Sequence, residues 1–179
     1  MFIKIEFIND IITYKMSKLI DACYNNNTKL SLKLIENKAN IDIQNRDGLT
    51  ALMLSCNNNN KKIALKLIEN KANLNLQSIN EWWTALMLSC YNNNIKIALK
   101  LIENKANLDI QSNFGWTALI WSCYYNNTKI VLKLIENKAN LDLQNNDRRT
   151  ALMESCENNN TEIISYLLEF IDENIDILT

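Results

Sequence analysis

The chain has 179 residues, 47% of them hydrophobic, and 19 basic against 20 acidic side chains give a formal net charge of −1. That length suits one domain or two small ones with a sizeable core, and the composition is that of a folding chain rather than a disordered one. The charge balance supplies no positive field to draw in a phosphate backbone, so general nucleic-acid binding is not expected.

There is no His and no Pro, and Gly48 and Gly115 are the only glycines. The usual general base and commonest metal ligand is therefore missing, and a glycine-rich phosphate-cradling loop cannot be built. Asn, Lys, Ile and Leu are abundant, as expected of AT-rich coding.

Residues 1–16 are apolar at Phe2, Ile3, Ile5, Phe7, Ile8, Ile11 and Ile12 but interrupted by Lys4, Glu6 and Asp10. That pattern is not a signal peptide, and no apolar run reaches the roughly 18–20 residues that cross a bilayer. A soluble protein of a reducing, cytoplasmic compartment is expected, without a membrane partner, and 1–16 reads as an N-terminal extension or cap.

From residue 17 the chain is periodic. The string LKLIENKAN recurs verbatim at 32–40, 65–73, 99–107 and 132–140, and Thr-Ala-Leu opens at Thr50, Thr84, Thr117 and Thr150 with the same offsets. Ser17 holds the equivalent place one period earlier. The repeat domain 17–179 thus divides into units 17–49, 50–83, 84–116, 117–149 and 150–179, with one extra residue in the loop of Glu81, Trp82 and Trp83.

Within the second unit, Thr50 is a good N-cap for a helix to about Asn57, with Leu52, Met53 and Cys56 on one face. A second helix from about Lys61 to Glu69 carries Ile63, Ala64, Leu67 and Ile68 as its apolar stripe, with Lys62, Lys66 and Glu69 outward. Asn57 to Asn60 join the two, since Asn tolerates the left-handed backbone of a tight turn. An extended connection follows. Neither helix buries its stripe alone, so the units must stack around one elongated core.

These motifs resemble the ankyrin-repeat family, whose units of about 33 residues pair two helices with a projecting β-hairpin finger. The family's T-P-L-H-x-A-A is similar to Thr50-Ala51-Leu52-Met53-Leu54-Ser55-Cys56, and its L-L-x-x-G-A-D-x-N to Leu67-Ile68-Glu69-Asn70-Lys71-Ala72-Asn73-Leu74-Asn75. The resemblance implies an all-α solenoid of stacked helix-turn-helix units with such fingers. It also implies a positive φ at Lys38, Lys71, Lys105 and Lys138, which stand where the family has glycine, with strain of roughly 1 kcal/mol at each. The last unit reads as a cap: from Thr150 onward there is no Lys or Arg, and seven acidic residues give a charge of −7.

Cys23, Cys56, Cys90, Cys123 and Cys156 share one place in their units. Stacked helices about 10 Å apart hold them too far apart for zinc or disulfides, so they read as buried, inert packing residues. The serines at 55, 89, 122 and 155 have no base to activate them. Asn26, Asn126 and Asn159 begin sequons that are not expected to be glycosylated. Lysines of the second helices are offset by Glu36, Glu69, Glu103 and Glu136 and read as a solvated face. No cofactor, metal or catalytic residue is expected, and the chain reads as a non-enzyme.

The second helices are near copies, whereas the fingers and first-helix ends differ from unit to unit. All four Trp residues lie between 82 and 121. Trp83, Phe114, Trp116, Tyr91, Tyr124 and Tyr125, with Trp82, are candidate partner anchors, because Trp, Tyr and Arg dominate interface hot spots; Arg148 and Arg149 are candidates for an acidic rim contact. The competing reading folds Trp82 and Trp83 back over the inserted finger and packs Trp121 between units. In ankyrin proteins these positions line the surface that grips partners. The resemblance thus implies a monomeric protein-binding module. The Asn-rich type is similar to ankyrin proteins of large DNA viruses and intracellular parasites, implying a host protein as partner. The alternatives are a structural or adaptor role that leaves the aromatics unused and, less favoured, single-stranded nucleic acid stacked on Trp83, Trp116 and Tyr124.

Overall fold

A computed structural model describes residues 18–176, with side chains to residue 171. The expected cap at 1–16 lies outside the described residues. Among the described residues ten helices follow the period: α1 at 18–24, then α2 Thr28–Glu36, α3 Ala51–Asn57, α4 Lys61–Glu69, α5 Ala85–Tyr91, α6 Ile95–Glu103, α7 Ala118–Tyr124, α8 Thr128–Glu136, α9 Ala151–Glu157 and α10 Thr161–Asp176.

The starts of the first helices are set by Thr50, Thr84, Thr117 and Thr150, whose hydroxyls accept from the backbone N–H three residues on, at 3.1–3.3 Å. Each such cap contributes about 1 kcal/mol. The helices end where Asn26, Asn59, Asn93, Asn126 and Asn159 turn left-handed, with φ between 51° and 56°. The lysines expected in glycine-like geometry adopt it, with φ of 56° at Lys38, 65° at Lys71, 66° at Lys105 and 64° at Lys138.

Two layers result. α3, α5, α7 and α9 pack in succession to form one, α2, α4, α6, α8 and α10 form the other, and each unit's pair joins them. The stripes meet between the layers, where Leu52, Leu67, Leu86, Leu101, Leu119 and Leu134 are all buried. The serines before the cysteines are packing residues that bond their own helix, as Ser55 Oγ does to the Ala51 carbonyl at 2.7 Å. The outward lysines form only exposed pairs such as Lys133–Glu136 at 3.0 Å, worth little.

The Asn excess also has a structural use. Asn94 Nδ2 donates to the Cys56 carbonyl at 2.5 Å and Asn127 Nδ2 to that of Cys90 at 3.0 Å, stapling each inter-helix turn to the unit before it. The fingers are stapled likewise, Gln44 and Gln111 each donating both within their own finger and to the next connection.

The chain is all-α among the described residues. The expected fingers are present as closed turns without strand assignment: Asn45 N–H bonds Leu49 O, Ser78 bonds Trp83, Ser112 bonds Trp116 and Asn145 bonds Arg149, at 2.9–3.0 Å. Adjacent fingers share single backbone–backbone bonds, Ile79 N–H to Asp47 O at 2.8 Å, Asn113 N–H to Glu81 O at 3.0 Å and Asn146 N–H to Phe114 O at 3.0 Å, beside side-chain bonds such as Asn113 Nδ2 to Asn80 O. One backbone bond per neighbour is too few to build a ladder.

The final first helix departs from its copies. Met153 is 50% exposed while Met53 and Met87 are 1% exposed, because no further described first helix packs beyond α9. Cys156 is exposed for the same reason, which corrects the expectation that all five cysteines are buried. The other four conform, and desolvation pushes the thiols of Cys56, Cys90 and Cys123 up to about 12.

Candidate partner-binding surface

Three positions in each unit converge on the face formed by the first helices and fingers. The first is the finger residue just before the Thr cap, occupied by Leu49, Trp83, Trp116 and Arg149. The second is the fourth residue of the first helix, Leu54, Leu88, Trp121 and Glu154. The third is that helix's last residue, Asn57, Tyr91, Tyr124 and Glu157. The cap turns the chain so that the finger residue lies over its own helix, which is why these side chains meet across the turn.

From the finger of the second unit to the first helix of the fourth the result is one cluster of six rings. Trp121 is its hub, touching Trp83 at 5.2 Å between centroids, Tyr91 at 5.1 Å, Trp116 at 4.1 Å, Tyr124 at 6.3 Å and Tyr125 at 6.0 Å. Edge-on contacts of Trp83 with Tyr91, Tyr91 with Tyr125 and Tyr124 with Tyr125 close it at 4.9–5.2 Å. Such offset and edge-on geometry is what ring quadrupoles favour, at about 0.5–1.5 kcal/mol per pair beyond area burial. Desolvation, and then the Tyr91 hydroxyl beside it, pushes the Tyr125 phenol up to about 12. The three tyrosines are exposed while Trp83, Trp116 and Trp121 are half-buried, so the tryptophans form a base and the tyrosines its wet edge. The indole nitrogens of Trp83 and Trp121 are buried without an acceptor.

Five of the predicted anchors, Trp83, Trp116, Tyr91, Tyr124 and Tyr125, are therefore brought together. Trp82 and Phe114 are not. They stand outside the ring cluster at finger tips, 54% and 57% exposed. Trp82 takes φ 56° and Arg148 φ 61°, at the places where the other fingers have Gly48 and Gly115. Arg148 is exposed, but Arg149 is not free for a rim contact as expected: its Nε donates to Glu154 Oε1 at 2.7 Å and its guanidinium also pairs with Glu157. Glu154 is buried, and a buried carboxylate holds its cation closely.

Beside the ring cluster a groove of roughly 280 Å³ opens between the second and third units. Leu49, Leu54 and Leu88 line it with Trp83 and Tyr91, and Glu81 borders it. Trp121 packs between units, as the competing reading has it, against Trp83, Tyr91 and Trp116; its register with Leu54, Leu88 and Glu154 is the sequence signal that places it on this face. Among the described residues no group of His, Cys, Asp or Glu side chains suited to a metal occurs, and no helix is long and apolar enough to cross a membrane.

A family model described as ankyrin repeats, in three copies, matches residues 19–112 and 92–178. No curated protein is matched by the sequence.

Proposed function

The chain belongs to the ankyrin-repeat family, and from that premise we propose that it is a non-enzymatic module that binds a partner protein through its fingers and first-helix face. Repeats of this family are generally protein–protein interaction modules and are typically non-enzymatic. The observation that carries the reading for this chain is the six-ring cluster bordering an apolar groove. Aromatic rings half-buried on a rigid base are suited to be interface anchors, because little side-chain entropy remains to be lost on docking. The base is rigid because each finger is closed on itself and tied to its neighbour.

The test is affinity capture with a variant that removes exposed rings only, Tyr91→Ala, Tyr124→Ala and Phe114→Ala combined, since truncating the half-buried tryptophans would also disturb the fold. The Asn-rich composition makes a host-cell lysate the natural source. Proteins captured by the wild type and lost by a variant of unchanged helicity are the expected outcome. Equal capture by both would overturn the reading and move any docking site away from the rings.

A further inference from the structure

We propose that the groove between the second and third units selects a partner segment in which a Lys or Arg neighbours a bulky aliphatic residue. This rests on the binding reading above and adds the chemistry of the occupant. The groove wall is apolar, lined by Leu49, Leu54 and Leu88, which suits an aliphatic side chain. Met53 adds to that wall, Asn57 and Ser78 are neutral polar lining, and the rest is ring and charge. Trp83 and Tyr91 present ring surface, and Glu81 stands at the border, exposed and without an ion pair among the described residues. Two ring surfaces and a carboxylate are the elements that receive a cation, by quadrupole attraction and by charge.

Three further observations point the same way. The helices α3, α5 and α7 under this face contain no charged residue, so nothing on them neutralises Glu81. On the neighbouring finger Arg46 and Asp47 are both exposed and neither lines the groove, so the charged side chain in its lining is Glu81. Finally, the chain itself seats a cation in the corresponding place where its last two units meet: Arg149 occupies the position of Trp83 and is held by Glu154 and Glu157. There the cation is shared by two carboxylates of the chain itself. In the groove the carboxylate comes from the second unit's finger, which is one residue longer, and has no ion pair among the described residues.

An acidic segment would meet Glu81 as a like charge, and so would a nucleic-acid strand. The cation-plus-aliphatic segment is the occupant that leaves neither the carboxylate nor the apolar wall uncompensated.

The probe is a phage-displayed library of random dodecapeptides selected on the full chain and counter-screened on Tyr91→Ala. The expected consensus pairs a Lys or Arg with Leu, Ile or Met. A synthetic consensus peptide should bind Glu81→Gln roughly three- to tenfold more weakly, the scale of one exposed charge or cation–ring contact, and more weakly as salt rises. Glu81→Lys should shift the selection toward acidic peptides. Peptides that lose binding to Tyr91→Ala but lack a basic residue, or bind Glu81→Gln unchanged, would overturn this inference and leave the binding surface standing. Peptides that bind wild type and Tyr91→Ala alike, or none enriched at all, would overturn the binding surface and the inference with it. Glu81 is exposed, and an unchanged melting temperature of both Glu81 variants shows that charge rather than folding is read.

Discussion

Trp83 meets Tyr91 edge-on at 4.9 Å, and the same two positions where the last two units meet are held by Arg149 and Glu157, which form an ion pair. One backbone arrangement therefore carries an aromatic pair in one unit and a charged pair in another. The difference sets how each unit responds to substitution. Arg149 also neutralises Glu154, whose side chain is 4% exposed. Arg149→Ala would leave that carboxylate buried and unmatched, a loss of about 2–4 kcal/mol on the scale of broken buried pairs. Replacing both, Arg149→Met with Glu154→Leu, should be close to neutral or stabilising. Chemical denaturation of the two variants checks the contrast.

The hub of the ring cluster should matter more than its rim. Trp121→Ala removes contacts to five rings at once and opens a void under the face, so a loss of about 2–3 kcal/mol is expected, less than for a fully buried tryptophan. Near-UV circular dichroism should fall steeply in the same variant, because the asymmetric ring packing that produces it is gone. Trp121→Phe keeps a ring and removes a buried N–H that lacks an acceptor. It should lose less than half as much stability, since an unsatisfied buried donor itself costs on the order of 1–3 kcal/mol.

Thiol accessibility separates the last unit from the rest. Cys156 is exposed whereas Cys23, Cys56, Cys90 and Cys123 are buried, and the thiolate is the reactive species. In the folded protein a thiol reagent should modify one cysteine per chain quickly, and Cys156→Ser should abolish that phase. The other four should react only as the chain unfolds. Mass spectrometry of the alkylated protein with increasing denaturant measures both.

Backbone strain gives a test with opposite signs at two sets of positions. Lys71 and Lys105 sit at φ 65° and 66°, where a β-carbon is disfavoured, so Lys71→Gly and Lys105→Gly should each raise stability by up to about 1 kcal/mol. Gly48→Ala should do the reverse. A β-carbon there would lie 2.6 Å from the Ile79 backbone nitrogen, which belongs to the neighbouring finger and is fixed by its bond to Asp47. Thermal melts of the three single variants are sufficient.

Much of this fold was legible because a verbatim repeat removes ambiguity: Thr50, Thr84, Thr117 and Thr150 all cap helices as their shared place predicts, and the lysines in glycine positions take the expected φ. The Asn staples were not legible. Asn94 reads as a turn residue, and only the packed array shows its amide reaching the Cys56 carbonyl of the unit before. The site divides in the same way. The variable positions could be read off the differences between units, but the hub role of Trp121 and the capture of Arg149 depend on which side chains share a face after stacking.

What the sequence by itself determined was the period, the two helices per unit and the places of variation. These are local matters, decided by hydrophobic spacing, capping residues and comparison of the chain with itself. What only the tertiary structure decided was exposure and partnership: that Cys156 and Met153 lie open while their copies are buried, that six rings form one cluster, and that the Glu81 carboxylate borders an apolar groove. A repeat's sequence is nearly the same wherever it stands in the array, whereas burial and charge compensation depend on the neighbours it meets.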